Sequence, residues 1–520
     1  MTDLDRRPGE LTLGELLRWT WRQLTSMRTA LILLLLLALA AIPGSLIPQS
    51  DVDALKTSNW QADHPTLTPV YEKLGLFSVY DSPWFSAIYI LLMISLVGCI
   101  IPRCLVYWRA LRAQPPAAPR NLMRLPDHLD YPVDEPVDDV LARAAVVLKQ
   151  RRYRVITAAD AVSAEKGYLR EAGNLLFHLS VIVVLVGFAV GSLFGYKGGV
   201  IVMVKGGFSN TLTQYDDFDA GSLFDPDRME PFSFDVKGFD AEWLVSGPRA
   251  GMAHKFDSQL TYRETPDGPE HDYDLRVNHP LKIGGTEIFL IGHGYAPVFT
   301  IRDGDGNVTF QGPVVFLPVD QTFRSFGVVK APYAKPTQIG LEGEFYPTYD
   351  YTRATGPFSA FGNALNPRVS LLAYVGDLGL ETGEAQSVYS LRKDGLKLLK
   401  KPDGSMFRVD LGVGESVDLP DGAGSVSFDR VERWNKIQIS RTPGTGTALT
   451  GVCLALLGLL GSLFIRPRRV WLRARRSDGS TIVELAGLDR SGGGDVGAEL
   501  AAIRSAMQTA GADTELEEIS

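Results

Sequence analysis

The side chains able to hold a metal or pass a proton near neutral pH are few in this chain, and the histidines lead them. His178 lies in an apolar run, 172–194, that carries no formal charge. An ionisable ring inside a stretch of spanning length is a functional candidate in its own right. It stands roughly 10 Å from the start of that stretch, with Asn174 one turn earlier on the same face. A neutral imidazole there could ligate a metal, haem iron included, or relay protons. The alternative is an interfacial ring bonded to a neighbouring helix or a lipid headgroup. His279, in Asn278-His279-Pro280, and His293, in Gly292-His293-Gly294, form a weaker pair. They could meet across a hairpin, or each could be an ordinary turn or surface residue. His64, His254 and His271 sit in polar or Pro-flanked loops and carry little signal.

Other chemistry is scarce. Cys99, Cys104 and Cys453 lie in or beside apolar runs, and no Cys-x-x-Cys occurs. Neither a dithiol redox centre nor a disulfide scaffold is implied, and packing explains these residues. Asp303-Gly-Asp-Gly-Asn307 looks like the start of a calcium loop. Position twelve of such a loop would be Val314 rather than an acid, so a hairpin turn is expected. There is no P-loop, His-Glu-x-x-His or Gly-x-Ser-x-Gly. No catalytic residue stands out, and an ATP-driven pump is disfavoured. A net charge of −8 gives no reason to expect a nucleic-acid partner.

Four nearly charge-free stretches would position His178: 29–48, 84–101, 172–194 and 447–465. Each can cross roughly 30 Å of hydrocarbon as a helix. The first lacks a clear cleavage site and reads as a retained span, with Pro43 bending its far end. With only four spans and no paired broken helices, an autonomous transporter is disfavoured. Basic residues crowd 1–28, 102–171 and 466–520, while 49–83 is mostly acidic. The excess of Lys and Arg on cytoplasmic segments then places both termini and 102–171 inside. It places the 49–83 loop and the large segment 195–446 outside. Segment 102–171 reads as a small cytoplasmic αβ unit leading into the third span: a Pro-rich linker, a helix over 138–151 capped by Asp138 or Asp139, and a strand over 153–157. Alternating runs at 232–239, 256–263, 273–281, 286–303 and 426–434 make 195–446 β-rich, a sandwich or open barrel. The tail carries a Gly-rich linker, 492–494, and a helix over 495–509. The expected fold is thus a four-span helical membrane protein with a large extracytoplasmic β-rich domain between spans three and four. Gly187, Gly191 and Gly195 stripe the third span, and Gly187 lies half a turn from His178. The glycine face could pack inside the protein while His178 faces a partner or ligand.

Several stretches, taken together and in order, resemble the ResB (CcsB) family of system II cytochrome c biogenesis. They are KLGLFSVYDSPWFSAIYILLMISLVGCIIPR (73–103), AEKGYLREAGNLLFHLSVIVVLVG (164–187) and NHPLKIGGTEIFLIGHGYAP (278–297). The fourth is the return to the membrane, 437–471, where ISRTPG stands in place of the commoner Asp-Pro-Gly. The resemblance implies a plasma-membrane subunit of a haem export and attachment complex that matures c-type cytochromes. It implies transient haem shared with a ResC (CcsA)-like partner, and apocytochrome c as substrate, with thiol-reducing proteins as further partners. In that family a transmembrane histidine handles haem, and His178 stands at the matching position; His279 and His293 are weaker haem candidates. The eight tryptophans are scattered, so the partner's tryptophan-rich loop is not fused here. The alternative is a membrane-anchored structural or sensor protein whose outer β-domain binds a ligand or partner.

Overall fold

A computed structural model describes residues 12–50, 52, 54–158, 160–247, 253–380, 388–477, 479–490 and 495–518. The Gly-rich linker 492–494 lies outside the described residues. Two compact units divide the chain: Met1–Ala189 with Gly444–Ser520, and Val190–Pro443.

The first unit carries the helices. They are α1 (Leu13–Leu24), α2 (Met27–Leu46), α3 (Ala54–Asp63), α4 (Thr68–Lys73), α5 (Pro83–Arg112), α6 (Val137–Gln150), α7 (Arg170–Phe194), α8 (Thr445–Phe464) and α9 (Val496–Glu518). Helices α2, α5, α7 and α8 are long and apolar enough to cross a membrane. They coincide with the four expected spans, and Pro43 falls in the last turn of α2. Helix α5 continues to Arg112, well past the apolar run, because nothing after Pro102 interrupts its hydrogen bonding. Helix α1 opens with a reciprocal cap between Thr12 and Glu15.

The unit's other half is an α/β layer built from both ends of the chain. Its five strands lie in the order 127–133, 480–489, 468–477, 161–166, 154–158, and every pairing is antiparallel. Segment 102–171 and the tail are therefore one folded body rather than two. Helices α6 and α9 cover the sheet through Val140, Leu148, Leu500 and Ile503. Pro136 stands at the α6 cap without a side-chain bond, so the expected Asp cap does not form. Asp138 and Asp139 sit instead in the first turn, where carboxylates favour the helix's positive end. Asp495 does cap α9, accepting the amide of Ala498. Ile503 is fully buried. Ile503→Ala should cost about 2–4 kcal/mol. Proteolysis of the full chain should show it as faster cleavage within α9 and the 480–489 strand.

The second unit is almost wholly β. Two 18-residue strands, Thr286–Asp303 and Gly424–Arg441, pair antiparallel from end to end. The sheet they anchor also holds 196–203, 217–220, 281–283, 308–313 and 416–419. A second sheet (207–209, 233–243, 253–263, 271–276) packs on one end through Val236, Leu260, Ile288 and Ile437. A third sheet, including 325–331, 339–346 and 368–376, packs on the other end through Phe299, Leu341, Phe345 and Phe428. Two sandwich-like cores thus share one long ribbon, which is the β-rich reading with an added joint. The stretch from Asp303 to Asn307 is the hairpin turn expected. Asp303 Oδ1 accepts the amides of Asp305 and Asn307, each at 3.0 Å.

Candidate functional site

Helix α7 places His178 by the way it meets α8. A methyl group added at Gly173 would stand 2.6 Å from the amide nitrogen of Ser462, and one at Gly187 would stand 2.7 Å from that of Ala448. From the other side, a methyl at Gly458 would lie 2.5 Å from the Phe177 amide nitrogen, and one at Gly451 would lie 2.9 Å from that of Val184. Helix α7 thus presents Gly173, Phe177, Val184 and Gly187 to α8, and backbone meets backbone along the seam. The stripe's other members, Gly191 and Gly195, abut the carbonyls of Pro443 and Arg441.

His178 is not on that seam. It is half-buried, its ring edge-on to Phe177 at 5.3 Å between centroids. Among the described residues neither ring nitrogen has a hydrogen-bond partner. Nine residues separate it from Gly187, half a turn round the helix. Helix α5 braces α7 on one side of this level and the residues leading into α7 on the other. The Tyr89 hydroxyl donates to the Leu185 carbonyl at 2.9 Å, and the Tyr107 hydroxyl to the Tyr168 carbonyl at 3.2 Å. The ring is therefore held on a rigid helix with its nitrogens uncommitted. That is what a ligand-accepting imidazole needs, and what one bonded to a neighbouring helix would lack.

The two histidines of the β unit do not meet. The pairing of 281–283 with 286–288 ends at Leu281, and His279 bridges back to Arg276 instead. His279 is exposed, in a turn where Asn278 takes φ 63°. His293 pairs with Asn435 across the long ribbon. It is 7% exposed, at the joint between the two cores. Phe323 stacks on it at 4.5 Å, and Phe239 and Phe256 lie at 4.8 Å each. Both ring nitrogens are buried without a hydrogen-bond partner. Burial first, and the Arg433 cation second, push its pKa down to about 3, so the ring is neutral. Its nitrogens are free, but three phenyl rings close over them.

Polar side chains also converge near the start of α7, where Asn174 lines a cavity of about 680 Å³ with Arg154, Lys166, Arg170 and Arg469. Sequence alone does not mark this cluster, because its cations come from two segments, 154–170 and 468–490, about 300 residues apart. Among the described residues no group of three or more His, Cys, Asp or Glu is gathered as a metal site. Cys99 and Cys104 are half-buried, Cys453 is exposed, and all three are free thiols.

A family model described as ResB-like matches residues 27–501. Similar curated proteins carry the name cytochrome c biogenesis protein CcsB. The one from Synechococcus sp. (strain WH7803) is 28% identical over 352 residues, covering 65% of this chain and 73% of that protein. The one from Synechococcus elongatus is 31% identical over 286 residues, covering 53% and 58% respectively. The one from Picosynechococcus sp. is 25% identical over 470 residues, covering 88% and 86%.

Proposed function

The chain belongs to the ResB-like family, and from that premise we propose that it is the membrane subunit of a system II complex that moves haem and attaches it to c-type cytochromes. The observation that carries the role of its own residues is His178, an uncommitted imidazole on a braced spanning helix, turned away from the glycine seam. Haem is the cargo here, and when held it brings vinyl groups that can bond to cysteine thiols of apocytochrome c. His178 would supply one axial nitrogen, and a histidine of a CcsA-like partner the other. The site fits that cargo because the ring has no competing hydrogen bond and its helix is fixed by Tyr89 and Tyr107. His279 and His293 rank below it as haem ligands, the first on an exposed turn and the second shut in by phenyl rings.

The orientation we propose is cytoplasmic termini in a plasma membrane, with 195–446 outside. Supporting it, one sheet joins strands before α7 to strands after α8. Two spans lie between those strands, so both must lie on the same membrane face. The Arg-rich flanks favour the cytoplasmic side for that face. The β unit becomes the surface offered to the partner and to the apocytochrome, with thiol-reducing proteins keeping the substrate cysteines reduced.

The test is a haem stain of c-type cytochromes in a deletion strain carrying either the natural chain or His178→Ala. The natural copy should restore the stained bands; the variant should leave them near the deletion background with its protein present in the membrane. The complex purified with its CcsA-like partner should show a haem Soret band that weakens or shifts in the variant. Normal cytochromes in the deletion strain would overturn the function, and full rescue by His178→Ala would overturn the residue's role.

A further inference from the structure

The cavity at the ends of α5, α7 and α8 is unusually cationic. Six basic side chains line it (Arg154, Lys166, Arg170, Arg468, Arg469 and Arg490) against Glu165 and Glu171. Counting Glu499, which pairs with Arg468 from behind, the balance is six positive against three negative. Glu165 is shared between Arg154 and Arg469. Arg170 spends its Nε on the Ser462 carbonyl at 3.2 Å. Lys166 lies over the Tyr153 ring at 5.4 Å and, like Arg490, has no ion pair among the described residues. The Nε atoms of Arg154 and Arg468 are buried and donate to nothing. Buried cationic donors left idle are costly unless something anionic completes them.

Position selects the class of anion. The cavity opens where α7 begins, where α8 has just ended and where the last turns of α5 emerge. Its walls include Tyr107, Tyr168 and Leu111, beside the cations. Those are the residue types of a membrane's headgroup layer, and basic pockets at span ends suit lipid phosphates. We propose that this pocket binds the phosphate headgroup of an anionic phospholipid, with the acyl chains lying along α5 and α7. Bound there, the lipid would tie the α/β layer to the ends of the spans next to Asn174, one turn before His178.

The test uses the purified full chain in detergent and dioctanoyl phosphatidylglycerol as probe, with dioctanoyl phosphatidylcholine and inorganic phosphate as controls. Phosphatidylglycerol should bind about tenfold or more tightly than phosphatidylcholine. The Lys166→Ala/Arg490→Ala double variant breaks no ion pair and should elute normally on size exclusion, yet lose that preference. Equal affinity for the zwitterionic lipid would overturn the proposal, as would a preference unchanged in the double variant. Inorganic phosphate displacing the lipid at matched concentration would make this a free-phosphate site, and a dicarboxylate porphyrin displacing it would make it a haem-anion site; either also overturns it. Cytochrome maturation reports separately on the haem role, so the two readings fail independently.

Discussion

Gly458→Leu is expected to be among the most damaging single changes in the membrane part of this chain. The atoms a side chain would strike at position 458 are the amide nitrogen and Cα of Phe177, at 2.5 and 2.9 Å, and the carbonyl of Gly173 at 2.8 Å. Backbone cannot rotate aside as a side chain can, so α7 and α8 must separate. Separation forfeits contacts along the whole seam, because Gly173, Gly187 and Gly451 depend on the same closeness. In a bilayer that loss is not offset by water, since packing itself holds spans together. Overpacking of this kind costs about 1–3 kcal/mol in a core that can adjust, and a backbone clash should reach the top of that range or beyond. The thermal midpoint of the full chain in detergent, followed by loss of the monodisperse peak, should fall by several degrees or more. Leu460→Ala, on an exposed position of the same helix, should leave it nearly unchanged. Equal midpoints for the two variants would mean that the seam does not hold the helices. Because the displaced atoms belong to the residue before His178, cytochrome maturation should fall with Gly458→Leu too.

The glycine stripe is legible in the sequence because small residues at a four-residue spacing have one common use in spans. The spans themselves are legible for a similar reason, as runs without charge of the right length are rare by chance. The α/β layer is legible only in part, through the helix and strand expected at 138–151 and 153–157. Its strands 127–133 and 480–489 pair across roughly 350 residues of chain, and nothing local encodes that register. The basic strand Arg468–Ser477 reads as a charged flank, yet Val470, Leu472 and Ala474 alternate inward beneath the arginines. That alternation is the local mark of a half-buried strand, just as Thr12 three residues before Glu15 is the local mark of the α1 cap. His293 shows a different limit. Along Thr286–Asp303 the buried side chains begin at even numbers (Thr286, Ile288, Leu290), but a register shift between Leu290 and Gly292 turns His293 and Tyr295 inward. One extra residue in a strand reverses which face is core. An alternation pattern followed from the strand's start therefore places His293 on the wrong side.

That inward turn makes acid the natural stress for the β unit, and His293 the residue to carry it. Its folded-state pKa lies near 3, against an ordinary value of 6.5. Between those values the unfolded chain takes a proton that the folded chain refuses. Stability therefore falls as pH drops below about 6.5, and the fall ends only near pH 3. By pH 5 the loss from this one ring is about 2 kcal/mol, and over the whole window it approaches roughly 4–5 kcal/mol. The cause is local: a proton on the ring would sit among Phe239, Phe256 and Phe323 with no acceptor, close to the Arg433 cation. His293→Phe keeps the flat ring and removes both idle nitrogens. At pH 7.5 the variant should be as stable as the natural chain or more so, because an unpartnered buried polar group costs about 1–3 kcal/mol. At pH 5 its urea midpoint should hardly move, while that of the natural chain drops. Trp243, 6.3 Å from the imidazole, contributes to the emission that follows the transition. If the two proteins lose stability in parallel between pH 7.5 and 5, the imidazole is already solvated and the joint between the two cores is open. If only the variant holds, the joint is sealed by phenyl rings around a neutral histidine, and protonating that ring would open the β unit at the point where its two cores meet.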